Sequence, residues 1–158
     1  MKLLSWLVGV FLFFVIYVPG PYFFISLNRN LNFPVFKIPF GLYLGMLMII
    51  SGLAFIVYLI FVFKVVGKGS PVITEGAKKL IIKGPYQYVR NPMYLTHLWI
   101  WLAMFVIFGD VLLILYLLLG WLTLHVFVTK WEEPQLKEKF GREYDEYVKK
   151  IPRWISKL

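Results

Sequence analysis

Four apolar runs dominate the 158-residue chain, at 3–25, 40–63, 92–108 and 111–128. Each comes close to the ~20 residues that carry an α-helix across the hydrocarbon core of a bilayer. Inside hydrocarbon a segment must satisfy its own backbone polar groups, so such runs fold as helices. Hydrophobic residues make up 60% of the chain and aromatics 20%, with a mean hydropathy of +0.75. That is the profile of a polytopic membrane protein rather than a soluble domain. The expected architecture is all-α: one domain over residues 1–158, with about four transmembrane helices.

The runs differ in their interruptions. Pro19 and Pro21 predict a kink or an end near Val18 in the first. Lys2 followed by apolar residues resembles a signal peptide, but the stretch is long, rich in Phe and lacks a small-x-small cleavage site, so it reads as a retained helix. Gly109-Asp110 alone joins the third and fourth runs, which predicts a tight antiparallel hairpin. Gly41 and Gly45 form a small-xxx-small pair in the second run, a pattern that lets helices approach closely.

Charge sets the expected orientation. Of the 17 Lys and Arg residues, only Arg29 and Lys37 fall between the first two runs, and none falls in the Gly109-Asp110 turn. The rest lie at the N-terminus, in the loop 64–91 or after Val128. By the positive-inside rule both termini and the middle loop are cytoplasmic. The net charge of +9 then points to an anionic membrane surface rather than to nucleic acid. The chain has no cysteine, which excludes disulfides, thiolate metal sites and a cysteine nucleophile. No metal site is expected.

Residues 134–151 read differently. Leu136, Phe140, Tyr144, Tyr147, Val148 and Ile151 recur at helical spacing. Glu133–Lys137, Glu138–Arg142, Asp145–Lys149 and Glu146–Lys150 are opposite-charge pairs at i,i+4. This predicts one amphipathic helix on the cytoplasmic interface or capping the bundle. Pro134 suits its first turn, so a bend is expected at Glu132-Glu133. The one flexible linker is VGKGSPVITEG, residues 66–76.

The stretch KGPYQYVRNPMYL, residues 83–95, stands at the mouth of the third run. Asn91-Pro92 is a good helix start, which alone makes this doorway a cap with a snorkelling arginine. Its neighbours add chemistry. Tyr86, Tyr88 and Tyr94 crowd aromatic faces around one turn. The hairpin brings Glu132 and Glu133 to the same membrane face as Arg90 and Asn91, and a carboxylate pair at a membrane exit needs partners. Lys78, Lys79, Leu80 and Ile81 read as extended backbone with open N–H and C=O groups. Together these groups suit a zwitterionic ligand with a flat heteroaromatic ring. There is no Gly-rich dinucleotide fingerprint, no phosphate loop and no Ser/His/Asp grouping. His97 and His125 lie inside the spans, where they are expected as interhelical polar groups or as substrate contacts. Trp99, Trp101 and Trp121 are expected to pack or face lipid.

GPYQYVRNPMY (84–94) closely resembles the GPYxYVRHPxY signature of the isoprenylcysteine carboxyl methyltransferase and phospholipid methyltransferase superfamily. WEEPQLKEKFGREYDEYVKKIPRWI (131–155) resembles the same superfamily's EExxL…FGxxYxxYxxxVPRFIP tail. The resemblance covers about half the chain. It implies an integral-membrane, multi-pass enzyme that transfers methyl groups from S-adenosylmethionine to a lipophilic acceptor, which enters from the bilayer. It places the cofactor region at about 75–94 and 130–155, on the cytoplasmic side. Carried over residue by residue, it implies cofactor binding by Lys78, Lys79, Leu80, Ile81, Tyr86, Asn91, Pro92, Tyr94, Glu132 and Glu133, with Arg90 and Glu132 in catalysis. Two positions depart from the pattern. Asn91 stands where the superfamily has histidine, and an amide cannot titrate. Pro134 follows the glutamates, where no proline is required. Two other readings share the doorway: a membrane reductase of the sterol-reductase type, which would use NADPH, and a non-catalytic protein that keeps the fold.

Overall fold

The computed structural model describes residues 14–68 and 77–155. Helical backbone at 14–17 precedes α1 (Pro19–Asn30) and α2 (Gly41–Val65). A 3-10 turn at Gly84–Gln87 leads to α3 (Pro92–Phe108) and α4 (Leu112–Phe127). A π-helical turn at Val128–Glu132 then passes into α5 (Glu133–Phe140) and α6 (Arg142–Lys150). The described residues hold no strand, only an isolated bridge between Val35 and Asp110.

Among the described residues, two helical stretches are long and apolar enough to cross a membrane: α2 and the continuous run Leu112–Phe140. At 1.5 Å per residue α2 is ~37 Å long, more than the hydrocarbon thickness. The apolar α3 is shorter. Tyr43, Leu47, Val57 and Phe61 of α2, and Leu118 and Leu122 of α4, point outward. Apolar exposure on this scale suits a hydrocarbon solvent rather than water, as expected of an integral membrane protein. The kink expected near Val18 is present, because the two prolines start a new helix there. That helix runs on to Asn30, past the expected end at 25. The part of the first run before residue 14, and most of the 66–76 linker, lie outside the described residues.

The chain divides into two compact units: Met1–Ala54 with His97–Trp121, and Phe55–Thr96 with Leu122–Leu158. In the first, α2 and α3 approach closely at the glycine pair. A Cβ on Gly45 would lie 2.3 Å from Ile107 Cγ1, and one on Gly41 2.4 Å from the Val106 carbonyl oxygen. Polar pins hold the turn before α4. Asn28, fully buried, accepts the Leu112 N–H at 3.0 Å and donates to the Phe33 carbonyl at 3.2 Å. The Phe36 N–H donates to the Gly109 carbonyl at 2.9 Å. Buried Asp110 pairs with Arg29 at 3.4 Å. Trp99, expected to pack or face lipid, donates to the Met48 carbonyl at 3.1 Å.

The core of the second unit is Leu59, Val62, Ile81 and Tyr86, with Phe63, Val66, Ala77 and Met93 packed against it. Its tail corrects one expectation. Residues 134–151 are two helices, because Gly141 breaks them with φ +54°, a backbone state that side-chain-bearing residues rarely adopt. The break also redirects the charges: Lys137 pairs with Asp145 across the bend at 3.0 Å, not with Glu133. Where a bend is expected at Glu132-Glu133, the helix instead continues through a π-helical turn at Val128–Glu132. Pro134 has no N–H to continue an α-helical ladder, and a π turn absorbs such a gap without a loop.

Candidate functional site

The doorway folds around one buried side chain. The 3-10 turn Gly84–Gln87 directs Tyr86 into the core, edge-on to Phe63 at 5.9 Å between ring centres. Burial is the main cause that pushes the Tyr86 hydroxyl far above its ordinary value, with Glu132 the next. From α6, the Tyr147 hydroxyl donates to the Tyr86 carbonyl at 2.6 Å. The strongly two-faced α6 therefore seats its tyrosines, Tyr144 and Tyr147, inward. Tyr88 is exposed, so the doorway tyrosines are not one aromatic cluster.

The segment leading into the doorway, Lys78 to Ile81, contributes unevenly. The Lys78 and Lys79 N–H groups both bond the Gly67 carbonyl, at 2.8 and 3.1 Å, and so are not open as the sequence suggests. The Ile81 side chain is spent in the core. The Leu80 and Ile81 N–H groups make no backbone hydrogen bond among the described residues.

The two glutamates take different partners. Glu132 accepts the Tyr94 hydroxyl at 2.7 Å. It lies beyond the apolar part of the fourth run, and burial holds its carboxyl above the usual range, against the pull of that hydrogen bond. Glu133 receives both nitrogens of the Arg153 fork, at 2.7 and 2.8 Å. This bond raises Arg153 above its ordinary value. Arg90 Nη1 also lies 2.9 Å from Glu133 Oε1. It is poorly aligned there, and both Nη1 and Nε of Arg90 are buried without a hydrogen-bond partner. The Arg90 side chain is only 9% exposed. Burial, then Glu133, pushes the neighbouring Tyr144 hydroxyl up to about 12, while Arg90 pulls it down.

Residues 152–154 bind this cluster together. The Arg90 N–H donates to the Pro152 carbonyl at 2.9 Å. The Asn91 amide donates to the Arg153 carbonyl at 3.2 Å. Trp154 donates to His125 Nδ1 at 3.0 Å. Asn91 is thus a buried donor at the head of α3, a role that needs an N–H and no titration. Pro92 is buried, and its carbonyl accepts the Thr96 hydroxyl at 2.8 Å. His97 belongs to the first unit, where it bonds the Tyr17 hydroxyl of the same unit.

The second unit therefore brings together Tyr86, Arg90, Asn91, Tyr94, Glu132 and Glu133. Sequence reasoning passed over Arg153, Tyr144 and Tyr147. The signal for Arg153 was the Ile-Pro-Arg-Trp of the quoted tail, and for the tyrosines their place on the apolar face of the amphipathic segment. The cluster holds paired anions and cations, phenol hydroxyls and unsatisfied buried donors, a set suited to a ligand with opposite charges.

The phospholipid methyltransferase family model matches residues 40–143. No curated protein matches the chain.

Proposed function

From the premise that the chain belongs to the phospholipid methyltransferase family of integral-membrane methyltransferases, we propose that it methylates a lipid-like acceptor with S-adenosylmethionine at the cytoplasmic membrane face. The observation that carries this reading is the buried Arg90–Glu133–Arg153 cluster, in which Nε and Nη1 of Arg90 make no aligned hydrogen bond, in the same unit as the Glu132–Tyr94 pair. Two guanidiniums share the single Glu133 carboxylate, and an anionic group of a ligand would balance the charge left over. The carboxylate, amino and ribose groups of S-adenosylmethionine fit the opposite charges of this donor and acceptor set. Arg90 would hold a carboxylate, of the cofactor or of the acceptor. Glu132 would accept from amino or ribose groups, Tyr94 and Tyr86 would line the ring and sulfonium, and the N–H groups of Leu80 and Ile81 would meet polar edges. When bound, the cofactor supplies an already activated methyl group on a sulfonium.

The work left to the chain is orientation and exclusion of water. Well-positioned reactants gain several kcal/mol from proximity alone. Lys78, Lys79 and Ile81 fix the segment leading into the doorway, through Gly67 and the core. The 152–154 segment is tied to the doorway by the Arg90 N–H and the Asn91 amide, and would help to exclude water there. A carboxylate acceptor needs no base; an amine or phenol acceptor does, and Glu132 would be the carboxyl for that task. We read the chain as four spans with both termini cytoplasmic, supported by the placement of Lys and Arg. The apolar acceptor would approach laterally from the bilayer.

Calorimetric titration of the purified chain with S-adenosylmethionine tests the reading, with Glu132→Ala as the paired variant. Binding that weakens in the variant supports it; no binding by folded protein sinks it. Radiolabelled methyl transfer onto total lipid and prenyl-thiol extracts would then identify the acceptor class.

A further inference from the structure

Two tryptophans stand two positions apart on α3 and differ in what their indoles meet. Trp99 is 46% exposed, yet its N–H reaches the Met48 carbonyl at 3.1 Å and the Ser51 hydroxyl at 3.3 Å. Trp101 is only 5% exposed, and its Nε1 has no hydrogen-bond partner. An unmet buried donor costs on the order of 1–3 kcal/mol, and a buried indole normally finds an acceptor. The surroundings of Trp101 belong wholly to the first unit. His97 stands one helical turn before it on the same face of α3. Tyr17 lies against both, with ring centres 5.9 Å from His97 and 6.3 Å from Trp101, and its hydroxyl shares a hydrogen bond with His97 Nδ1. Tyr116 forms another wall at 5.4 Å, its hydroxyl spent on the Ile16 carbonyl. Gly120 makes room for the indole: a Cβ there would lie 2.2 Å from Trp101 Cζ3. The atoms turned to Gly120 are Cζ3, Cε3 and Cη2, so the opposite edge, which carries Nε1, points away from that glycine.

We propose that Trp101, with Tyr17 and His97 beside it, is an intramembrane seat for an uncharged apolar molecule, whose carbonyl, ester or ether oxygen accepts the Trp101 N–H. The site does not depend on the methyltransferase reading. Its chemistry selects the occupant from two sides. α3 contains no Asp, Glu, Lys or Arg, and Trp101 stands seven residues from its nearer end, ~10 Å at 1.5 Å per residue. A charged headgroup at that depth would find no counter-ion. A bare hydrocarbon chain would leave the N–H as unmet as before, and hydrocarbon offers no other acceptor. An oxygen on an apolar body satisfies both conditions. The seat opens on the Tyr17 side. Tyr116 is fastened to the Ile16 carbonyl and Gly120 is backbone, whereas Tyr17 is a half-buried side chain on a turn whose Phe14, Val15 and Ile16 are exposed.

The test uses the full chain in detergent, labelled with nitrogen-15 at the indoles, and a matched pair of probes that differ by one oxygen: decyl methyl ketone and dodecane. The chain has six tryptophans, and the Trp101 indole resonance is assigned by its loss in Trp101→Phe. Without probe it should sit at an unbonded position. The ketone should move it to a bonded position, and dodecane should not. Trp99, already bonded to Met48, and Trp154, bonded to His125, are internal controls that should stay in place. Trp101→Phe, which keeps an aromatic ring but has no N–H, should bind the ketone about fivefold more weakly, the scale of one neutral hydrogen bond, and bind dodecane no more weakly than wild type. If Trp101→Phe does not fold, the resonance is assigned by elimination, with Phe placed at the other five tryptophans in turn, and the wild-type titrations decide. The inference is overturned if the resonance is already at a bonded position without probe. It is overturned equally if the ketone leaves the resonance unmoved, if dodecane moves it as far, or if Trp101→Phe binds the ketone as wild type does.

Discussion

Each unit contains an arginine–carboxylate contact, and the two are built oppositely. In the first, Arg29 meets Asp110 one to one at 3.4 Å, with the guanidinium 60% exposed and the carboxylate fully buried. Asp110 sits in a turn already pinned by Asn28 and by the Phe36–Gly109 backbone bond. In the second, two guanidiniums share Glu133, and donors on the more buried one go unused. The balanced, half-solvated pair is fastening for a loop. The unbalanced, buried cluster is a site with a charge to spare. Ion pairs are informative here by their stoichiometry and burial rather than by their presence.

The comparison breaks first at Glu133. Glu133→Ala leaves Arg90 and Arg153 facing each other without an anion, and should cost about 3 kcal/mol of stability, the scale for removing one partner of a buried pair. Equilibrium unfolding in detergent checks this; a loss no larger than that of Arg29→Ala would erase the contrast. Next in size, Gly45→Val forces a side chain into the Ile107 contact at a helix crossing of the first unit. Unfolding should register about 1–3 kcal/mol of overpacking, while S-adenosylhomocysteine affinity stays at the wild-type value. Co-variation of the two would show that the units do not carry separate tasks.

Glu132 sharpens the contrast through pH. Burial raises its carboxyl above the ordinary range, so the folded chain holds the proton more tightly than the unfolded one. The stability it contributes is complete below the ordinary glutamate range and is lost as pH rises through the raised value. Unfolding from mildly acidic to neutral pH should show wild type losing stability relative to Glu132→Gln, by at most about 1.4 kcal/mol per pH unit. An identical slope in both proteins would argue that Glu132 is solvated. The smallest effect belongs to Arg29→Ala. Its exposed partner role predicts a loss within about 1 kcal/mol, shrinking further in high salt; a loss near that of Glu133→Ala would make Asp110 a buried charge cluster after all.

Helical class, the third run's bounds, the Val18 break and the doorway were legible because each is local. Apolar length, proline and the Asn-Pro start act within a few residues of themselves. The close approach at Gly41 and Gly45 was legible for the same reason: a missing Cβ is a local property. The amphipathic tail was misjudged as one helix because side-chain periodicity continues through Gly141, while the break depends on the backbone state of that one glycine. Partner choice was least legible. The i,i+4 rule assigns Glu133 to Lys137, yet Glu133 bonds Arg153, twenty positions along the chain.

By itself, then, the sequence determined the apolar helices and the doorway motif, because burial in hydrocarbon and backbone propensity act segment by segment. The tertiary structure decided which carboxylate each guanidinium keeps, and that Asn91 serves as a donor to the Arg153 carbonyl where a titrating histidine is expected. Those outcomes depend on which of several nearby groups reaches first and in what geometry, and the folded chain alone sets that geometry.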